Sequence, residues 1–413
     1  MGTMLQAQDL TLDDFQGLEG CNEILNVTRP DAIGAVHDAY FEVGVDCVET
    51  NTFGANWSNL SDYDIDDRIT ELAEAGARIA RERADHWSTV DKPRWVLGSM
   101  GPGTKLPSLG HTTYQNLKDT FGLQAKGLVQ GGADAILVET SQDLLQAKAA
   151  VNGSRAAMAE LGVRVPVFVS VTVETTGTML MGSEIGAALT TLQALDVDAV
   201  GLNCATGPQE MSEHLRHLAK HSQMPVTCMP NAGLPVLGKD GASYPLQPAE
   251  MAAAHAQFAR EFGLGLVGGC CGTTPEHLRQ IVEAVGGQAV EPRSPSVRTA
   301  WPASTRTSTS RRTPRSSRSA NAPTRTAPRR SARRCSRASG TSACRSPAPR
   351  PVRARTCSTC ASTTWGGTAS PTSARSSPGS RAPPRSPSSS IPRSRTSSRR
   401  AWSSSVAAPS STR

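Results

Sequence analysis

A chain of 413 residues is long enough for one large domain or two ordinary ones, and the absence of any run of about 18 apolar residues excludes a membrane-spanning helix. Its net charge of +7 averages two unlike pieces: residues 1–291 hold all 36 acidic residues against 18 basic ones, a net of −18, whereas residues 292–413 carry 25 arginines and no Asp, Glu, Lys or His. The second piece also lacks Leu, Met, Phe, Tyr and Gln and has one Ile, Ile391, so it cannot bury enough apolar surface to offset its chain entropy; residues 291–413 are expected to be a disordered Arg/Ser/Pro-rich tail.

The opening residues, MGTMLQAQDL, have neither the basic start nor the apolar core of a secretory signal. A cytoplasmic location is expected, where the ten cysteines stay reduced and clustered ones read as metal ligands or nucleophiles. From Arg29 to about Val285, short apolar runs alternate with amphipathic stretches. The first helical stretch is PDAIGAVHDAYFEVG (Pro30–Gly44), with proline in its first turn, followed by the strand-like VDCVETNTF (Val45–Phe53). RWVLGSMGP (Arg94–Pro102), DAILVET (Asp134–Thr140), VPVFVSVTV (Val165–Val173), VDAVGLNC (Val197–Cys204), PVTCMPNAG (Pro225–Gly233) and GLGLVGGC (Gly263–Cys270) each read as strands buried on both faces. A last helix is expected over TTPEHLRQIVEAV (Thr273–Val285).

Strand and helix units repeated at this spacing imply a parallel sheet, and about 250 residues of it suit an α/β (β/α)8 TIM barrel. Only seven strands are visible, and MGTMLQ reads as the loop after a strand. Residues 1–290 are therefore expected to form a barrel lacking its first strand, that strand preceding Met1.

The working face of such a barrel lies at the carboxyl ends of its strands. Those ends carry Asn51 and Thr52, Ser99 to Gly103, Glu139 and Thr140, Thr172 to Glu174, Asn203 and Cys204, Asn231, and Cys270 with Cys271. Zinc in a catalytic site takes three protein ligands and leaves a fourth position open, and Cys204, Cys270 and Cys271 are three candidate ligands on one rim. Neighbouring side chains on a strand point oppositely, so a vicinal pair can share one ion only where the strand gives way to an irregular turn, which Gly268, Gly269 and Gly272 allow. Three thiolates leave a divalent site at net −1, a poor activator of water but a suitable holder for an incoming sulfur. With a free thiol pKa of about 8.5, ionising it fully at pH 7 is worth about 2 kcal/mol, and the reaction class implied is alkyl transfer to sulfur. The competing reading is that cysteines pack as small hydrophobes, which is the expectation for Cys21, Cys47 and Cys228. Glu139 reads either as a buried functional carboxylate or as a satisfied rim residue.

The stretches MGTMLQ, GCNEILNVTRPD (Gly20–Asp31), ETNTFGAN (Glu49–Asn56), GSMGPGTKLPSLG (Gly98–Gly110), ILVETSQD (Ile136–Asp143), GLNCATGP (Gly201–Pro208), MPNAGLP (Met229–Pro235) and GGCCGTTPEH (Gly268–His277) together resemble the homocysteine-binding zinc module of cobalamin-dependent methionine synthase, from Met1 to about Val285. The resemblance implies a homocysteine S-methyltransferase making methionine. It implies that Cys204, Cys270 and Cys271 bind Zn2+ and serve catalysis, with homocysteine thiolate in the open position. Glu139 then contacts the substrate amino group with Asn203 as a second substrate contact, and Asn231 occupies zinc when substrate is absent. The methyl donor so implied is methylcobalamin, carried on a separate module and reloaded from methyltetrahydrofolate; no cobalamin module is visible in this chain. Simpler enzymes that take methyl from betaine or S-methylmethionine share the zinc motifs, while GCNEILNVTRPD and GPGTKLPSLG favour the cobalamin type. The family pattern ahead of MGT is a strand ending in Asp-Gly-Ala, with the aspartate near the substrate. Without that strand the barrel wall has a gap, so either the true start lies upstream or the product folds badly.

Three readings compete for the tail. An arginine-rich arm would attract RNA phosphates, on an otherwise inactive barrel, but the tail is nearly free of aromatic stacking partners and shows no repeat, which weighs against nucleic acid. A CxxC at Cys357–Cys360 has no folded context to make it a metal or redox site. Translation of a GC-rich gene in the wrong frame explains the missing residue types. Moving each codon of TCSTCASTTWGGTASP (Thr356–Pro371) back one base is compatible with HMLDLCVDYVGRDGVA, and ANAPTRTA (Ala320–Ala327) with ERTNANGS. Both decodings resemble the folate-binding module that follows the homocysteine module in that family, and this is the reading adopted.

Overall fold

The computed structural model describes residues 1–238, 241–286, 293–296, 300–303 and 306–309. The chain opens with α1 (Gly2–Gln6), α2 (Leu25–Thr28) and α3 (Pro30–Glu42). Pro30 starts α3 where the amide it lacks would have had no helical partner, and the helix buries Ile33, Val36, His37 and Phe41 on one face. Next come β1 (Cys47–Glu49), α4 (Trp57–Leu60), α5 (Ile69–Trp87), β2 (Trp95–Met100), α6 (Tyr114–Gln130), β3 (Ala135–Ser141) and α7 (Leu144–Leu161). They lead into β4 (Val167–Val171), α8 (Ile185–Ala194), β5 (Ala199–Asn203), α9 (Pro208–His221) and β6 (Val226–Met229). A hairpin of β7 (Val236–Gly238) and β8 (Gly241–Ser243) then precedes α10 (Pro248–Phe262), β9 (Leu266–Val267) and α11 (Pro275–Val285).

Seven strands form one parallel sheet in the order β1-β2-β3-β4-β5-β6-β9. Each strand lies beside its predecessor with helical segments in the crossover, which is the winding of a (β/α) barrel one strand short of eight. Among the described residues β1 and β9 are the two ends of the ladder and do not pair. The helices bridge this side instead: the Tyr40 hydroxyl on α3 donates to the Thr273 carbonyl just ahead of α11, at 3.0 Å.

Both faces of the sheet are covered, which is why its strands read as near-continuous apolar runs. Leu97, Ala135, Leu137, Phe168, Ala199 and Met229 fill the barrel interior, while Val96, Ile136, Val138, Val169, Val200 and Val226 face the helices. The seventh strand is shorter than its apolar run: expected to extend to Cys270, it pairs only over Leu266 and Val267. Beyond them Gly268 and Gly269 release the chain into an irregular turn.

No described helix is long and apolar enough to cross a membrane. Of residues 291–413, Arg293 donates to the carbonyls of Ser222 and Met224, Ser296 donates to that of Lys220, and β10 (Ala300–Ala303) pairs antiparallel with β11 (Arg306–Thr309). The disorder expected of the rest of the tail, and the Cys357–Cys360 pair, lie outside the described residues.

Candidate metal centre

Alternation along each strand decides what faces the barrel mouth. The inward set begins with Cys47, Leu97, Ala135 and Ala199, so two or four residues further on β1, β2, β3 and β5 turn Glu49, Ser99, Glu139 and Asn203 inward. These four make a polar layer above an apolar one. Ser99 Oγ donates to Glu139 Oε1, and Asn203 Nδ2 lies 3.3 Å from Glu139 Oε2. Asn203 is fully buried and locked in place: its Oδ1 accepts the Thr140 backbone N–H at 2.7 Å and its Nδ2 reaches Thr140 Oγ1 at 2.7 Å. Thr140 can meet it because the β3–β4 ladder slips between Val138 and Ser141 and Thr140 takes a φ of 53°.

The sulfurs come next. Cys204 directly follows β5 and has a φ of 60°, with Ala205 at 58°. Left-handed backbone at non-glycine residues costs on the order of 1–3 kcal/mol each and persists only where the surroundings enforce it. Here Cys204 N–H is held by the Met229 carbonyl at 3.2 Å, and its own carbonyl accepts from Thr206 N–H at 2.7 Å. Cys270 and Cys271 sit in the turn after β9, stitched to the segment after β6 by Cys270 N–H to Pro230 O (2.8 Å), Ala232 N–H to Cys271 O (2.9 Å) and Cys271 N–H to Asn231 Oδ1 (3.1 Å). Thr273 Oγ1 adds a bond to Cys270 O at 2.7 Å. Glycine is required on both sides: a Cβ at Gly269 would stand 2.3 Å from the Thr273 side chain, and Gly272, at φ 75°, would drive one to 2.3 Å from the Tyr244 ring.

The result is a sulfur triangle. Cys204 Sγ is 3.7 Å from Cys271 Sγ, Cys270 Sγ is 3.9 Å from Cys271 Sγ, and all three lie within 4.8 Å of one another. Ligands about 2.3 Å from one tetrahedral ion sit about 3.8 Å apart, so the spacing suits three thiolates sharing a zinc-sized ion. Among the described residues this is the only group of three or more His, Cys, Asp or Glu side chains close enough to hold a metal. The neighbouring Cys204 and Cys270 sulfurs, in that order, lower the pKa of Cys271 to about 3, and Cys270 is raised by its sulfur neighbours and by burial.

Burial raises the Glu139 carboxyl well above its ordinary range, and the facing Glu49 carboxylate raises it further. Glu49 is itself raised by burial. Two carboxyls in one low-dielectric layer are a site in want of a cation. Cys21 and Cys47 stand apart from the triangle, raised to about 11 and about 12 by burial, and Cys228 is buried in the outer core, as packing residues should be.

A family model described as Homocysteine S-methyltransferase matches residues 1–285. The chain belongs to the homocysteine S-methyltransferase family. This S-methyltransferase domain is 66% identical over 285 residues to the methionine synthases of Mycobacterium leprae (strain TN) and Mycobacterium tuberculosis (strain ATCC 25618 / H37Rv). Each match covers 69% of this chain and 24% of the relative, so the chain spans about a quarter of the length of these methionine synthases. The oxidized form of the homocysteine methyltransferase MmuM from Escherichia coli shares the fold with a TM-score of 0.56 at 21% identity, covering 68% of this chain and 93% of that one; its metallated form gives 0.53 at 21%, covering 68% and 92%.

For the methyltransferase domain, the rim cysteines, Glu139, Asn203 and Asn231 anticipated from strand ends do meet in space. Asn231, 3% exposed, stands beside the vicinal pair with its side-chain oxygen held by Cys271 N–H. Sequence reasoning missed Glu49 and Tyr244. Glu49 had a signal, the two-residue step from Cys47 along one strand. Tyr244, whose ring packs over Gly272, had none, because only the fold brings the hairpin between β6 and α10 there.

Proposed function

We propose that the barrel holds one zinc ion on Cys204, Cys270 and Cys271 and uses it to bind and ionise homocysteine, which then accepts a methyl group from methylcobalamin to become methionine. The observation that carries this is the sulfur triangle with edges of 3.7 and 3.9 Å at the mouth of a barrel whose next layer holds a buried, ligand-seeking carboxyl. Zinc, when bound there, would lower the pKa of a fourth sulfur so that it is held as thiolate at neutral pH.

The chain's own residues do the rest. Glu139, fixed by Ser99 and Asn203, receives the substrate ammonium, whose charge restores the carboxylate that burial disfavours. Asn203 Nδ2, 3.9 Å from Cys270 Sγ as well as 3.3 Å from Glu139, spaces the amino-acid end of the substrate from the sulfur end. Asn231 serves as the group that can turn to the ion before substrate arrives, its oxygen already aimed at the Cys271 amide. The methyl group passes to sulfur as a cation equivalent, leaving its bonding electrons on the donor, so no base is needed in the transfer itself. The 66% identity to two methionine synthases supports methylcobalamin as donor over betaine or S-methylmethionine.

The test is metal per chain on the purified 413-residue protein, with homocysteine and free methylcobalamin as substrates. About one zinc per chain, lost in Cys204→Ser together with methionine formation, supports the reading. A metal-free chain that methylates homocysteine at the same rate overturns it.

A further inference from the structure

We propose that Thr140 is a positioning residue for the amino-acid end of the substrate: held in a left-handed bulge, it grips the Asn203 amide at both oxygen and nitrogen and keeps the amide hydrogens turned to the Glu139 carboxyl. This rests on the reading of Glu139 as the acceptor of the homocysteine ammonium.

The bulge sets the geometry. β3 pairs with β4 as Val138 to Val169 and then as Ser141 to Val171, so two residues, Glu139 and Thr140, stand opposite one, Ser170. Neighbours on a regular strand point to opposite faces, and Thr140 would then lie with Val138 on the helix side while Glu139 lies with Leu137 inside. The extra residue, at φ 53°, brings half-buried Thr140 to the same Asn203 Nδ2 that Glu139 meets, with Thr140 Oγ1 at 2.7 Å and Glu139 Oε2 at 3.3 Å. The chain rejoins the ladder at once, Thr172 N–H donating to Ser141 O at 3.1 Å.

The two bonds from Thr140 fix which way the amide faces. A backbone N–H can only donate, so the Asn203 atom 2.7 Å from Thr140 N is the oxygen, which leaves the hydrogens of Nδ2 for Thr140 Oγ1 and Glu139 Oε2. Turned over, the amide would set its hydrogens against Thr140 N–H and its oxygen against the Glu139 carboxylate. A β-branched residue with positive φ is strained, and glycine takes that conformation freely. Glycine would serve if the bulge only routed the chain; the second grip on Asn203 needs a side-chain hydroxyl, and the strain is borne where the site requires it.

The experiment compares the full chain, supplied with zinc, with Thr140→Val, which keeps the branched shape and removes the hydroxyl, with Thr140→Ser, which keeps the hydroxyl, and with Thr140→Gly, which removes the side chain and relieves the backbone. Homocysteine binding is measured by titration calorimetry without any methyl donor, beside zinc per chain. The backbone bond to Asn203 survives in every variant, so the loss is partial: Kd for homocysteine is expected to rise about 5-fold to 10-fold in Thr140→Val and Thr140→Gly. Thr140→Ser is expected to bind as the parent does, and zinc per chain to be the same in all four proteins. Parent-like binding in Thr140→Val overturns the proposal, as does parent-like binding in Thr140→Gly should Thr140→Val not fold. Equal weakening in Thr140→Ser and Thr140→Val also overturns it, because the hydroxyl is then not what matters. A metal-free parent that binds homocysteine, and binds it more weakly as Thr140→Val, overturns the zinc reading and supports this one. A zinc-loaded parent that binds no homocysteine overturns the Glu139 reading and this proposal with it.

Discussion

Asn203 Nδ2 stands 3.3 Å from the Glu139 carboxylate, joining the ends of β5 and β3 across the barrel mouth. A hydrogen bond of this kind, to a group that carries charge when substrate is bound, is worth about 1.5–3 kcal/mol. Asn203→Ala is therefore expected to raise KM for homocysteine about 10-fold or more while zinc per chain stays at the parent value, since Asn203 is not a ligand. Loss of metal in this variant would contradict the division of labour between the carboxyl layer and the sulfurs.

The raised Glu139 pKa makes stability fall with pH. A carboxyl whose folded pKa is above its unfolded value of about 4.3 stabilises the fold fully below that value, and the contribution is lost as pH rises through the folded pKa. Glu139→Gln, which mimics the protonated acid, should raise the melting temperature of the substrate-free protein at pH 8 and leave it nearly unchanged at pH 4. Equal effects at both pH values would show that burial does not disfavour the charge.

Acid should act on a different group. His37 is 1% exposed, its Nε2 has no hydrogen-bond partner, and burial lowers its pKa to about 3. For a histidine depressed in the folded state, stability is complete above the unfolded pKa of about 6.5 and is lost as pH falls toward the folded value. His37→Leu is expected to narrow the gap in denaturant midpoint between pH 7 and pH 4.5. An unchanged gap would place the acid sensitivity elsewhere, with His255, buried and lowered to about 4, the next to test.

The out-of-frame reading of residues 292–413 predicts that resequencing the gene finds a single-base shift near the Val285–Thr305 codons. The corrected frame should encode a chain with ordinary amounts of Leu, Asp and Glu in place of 25 arginines. An intact frame with no such shift removes that reading.

Much of this molecule follows from its sequence. Alternating apolar runs and amphipathic helices dictate a parallel barrel, because a strand buried on both faces must be apolar throughout and must be followed by a crossover helix. Strand-end position then selects Cys204, Cys270, Cys271, Glu139, Asn203 and Asn231, since only that end of a parallel barrel gathers its loops. Three things needed the tertiary structure. The left-handed turn at Cys204, which swings its sulfur to 3.7 Å from Cys271, is imposed by the Met229 carbonyl on the next strand and by no local residue preference. Glu49 matters through the charge of Glu139, about 90 residues away, and the Tyr244 ring reaches Gly272 from a hairpin whose exit is tied down by Ala232 and His277. Local spacing determines which face of an element a residue occupies; which faces meet is a property of packing between distant segments, and the chemistry of the sulfur triangle lies in those meetings.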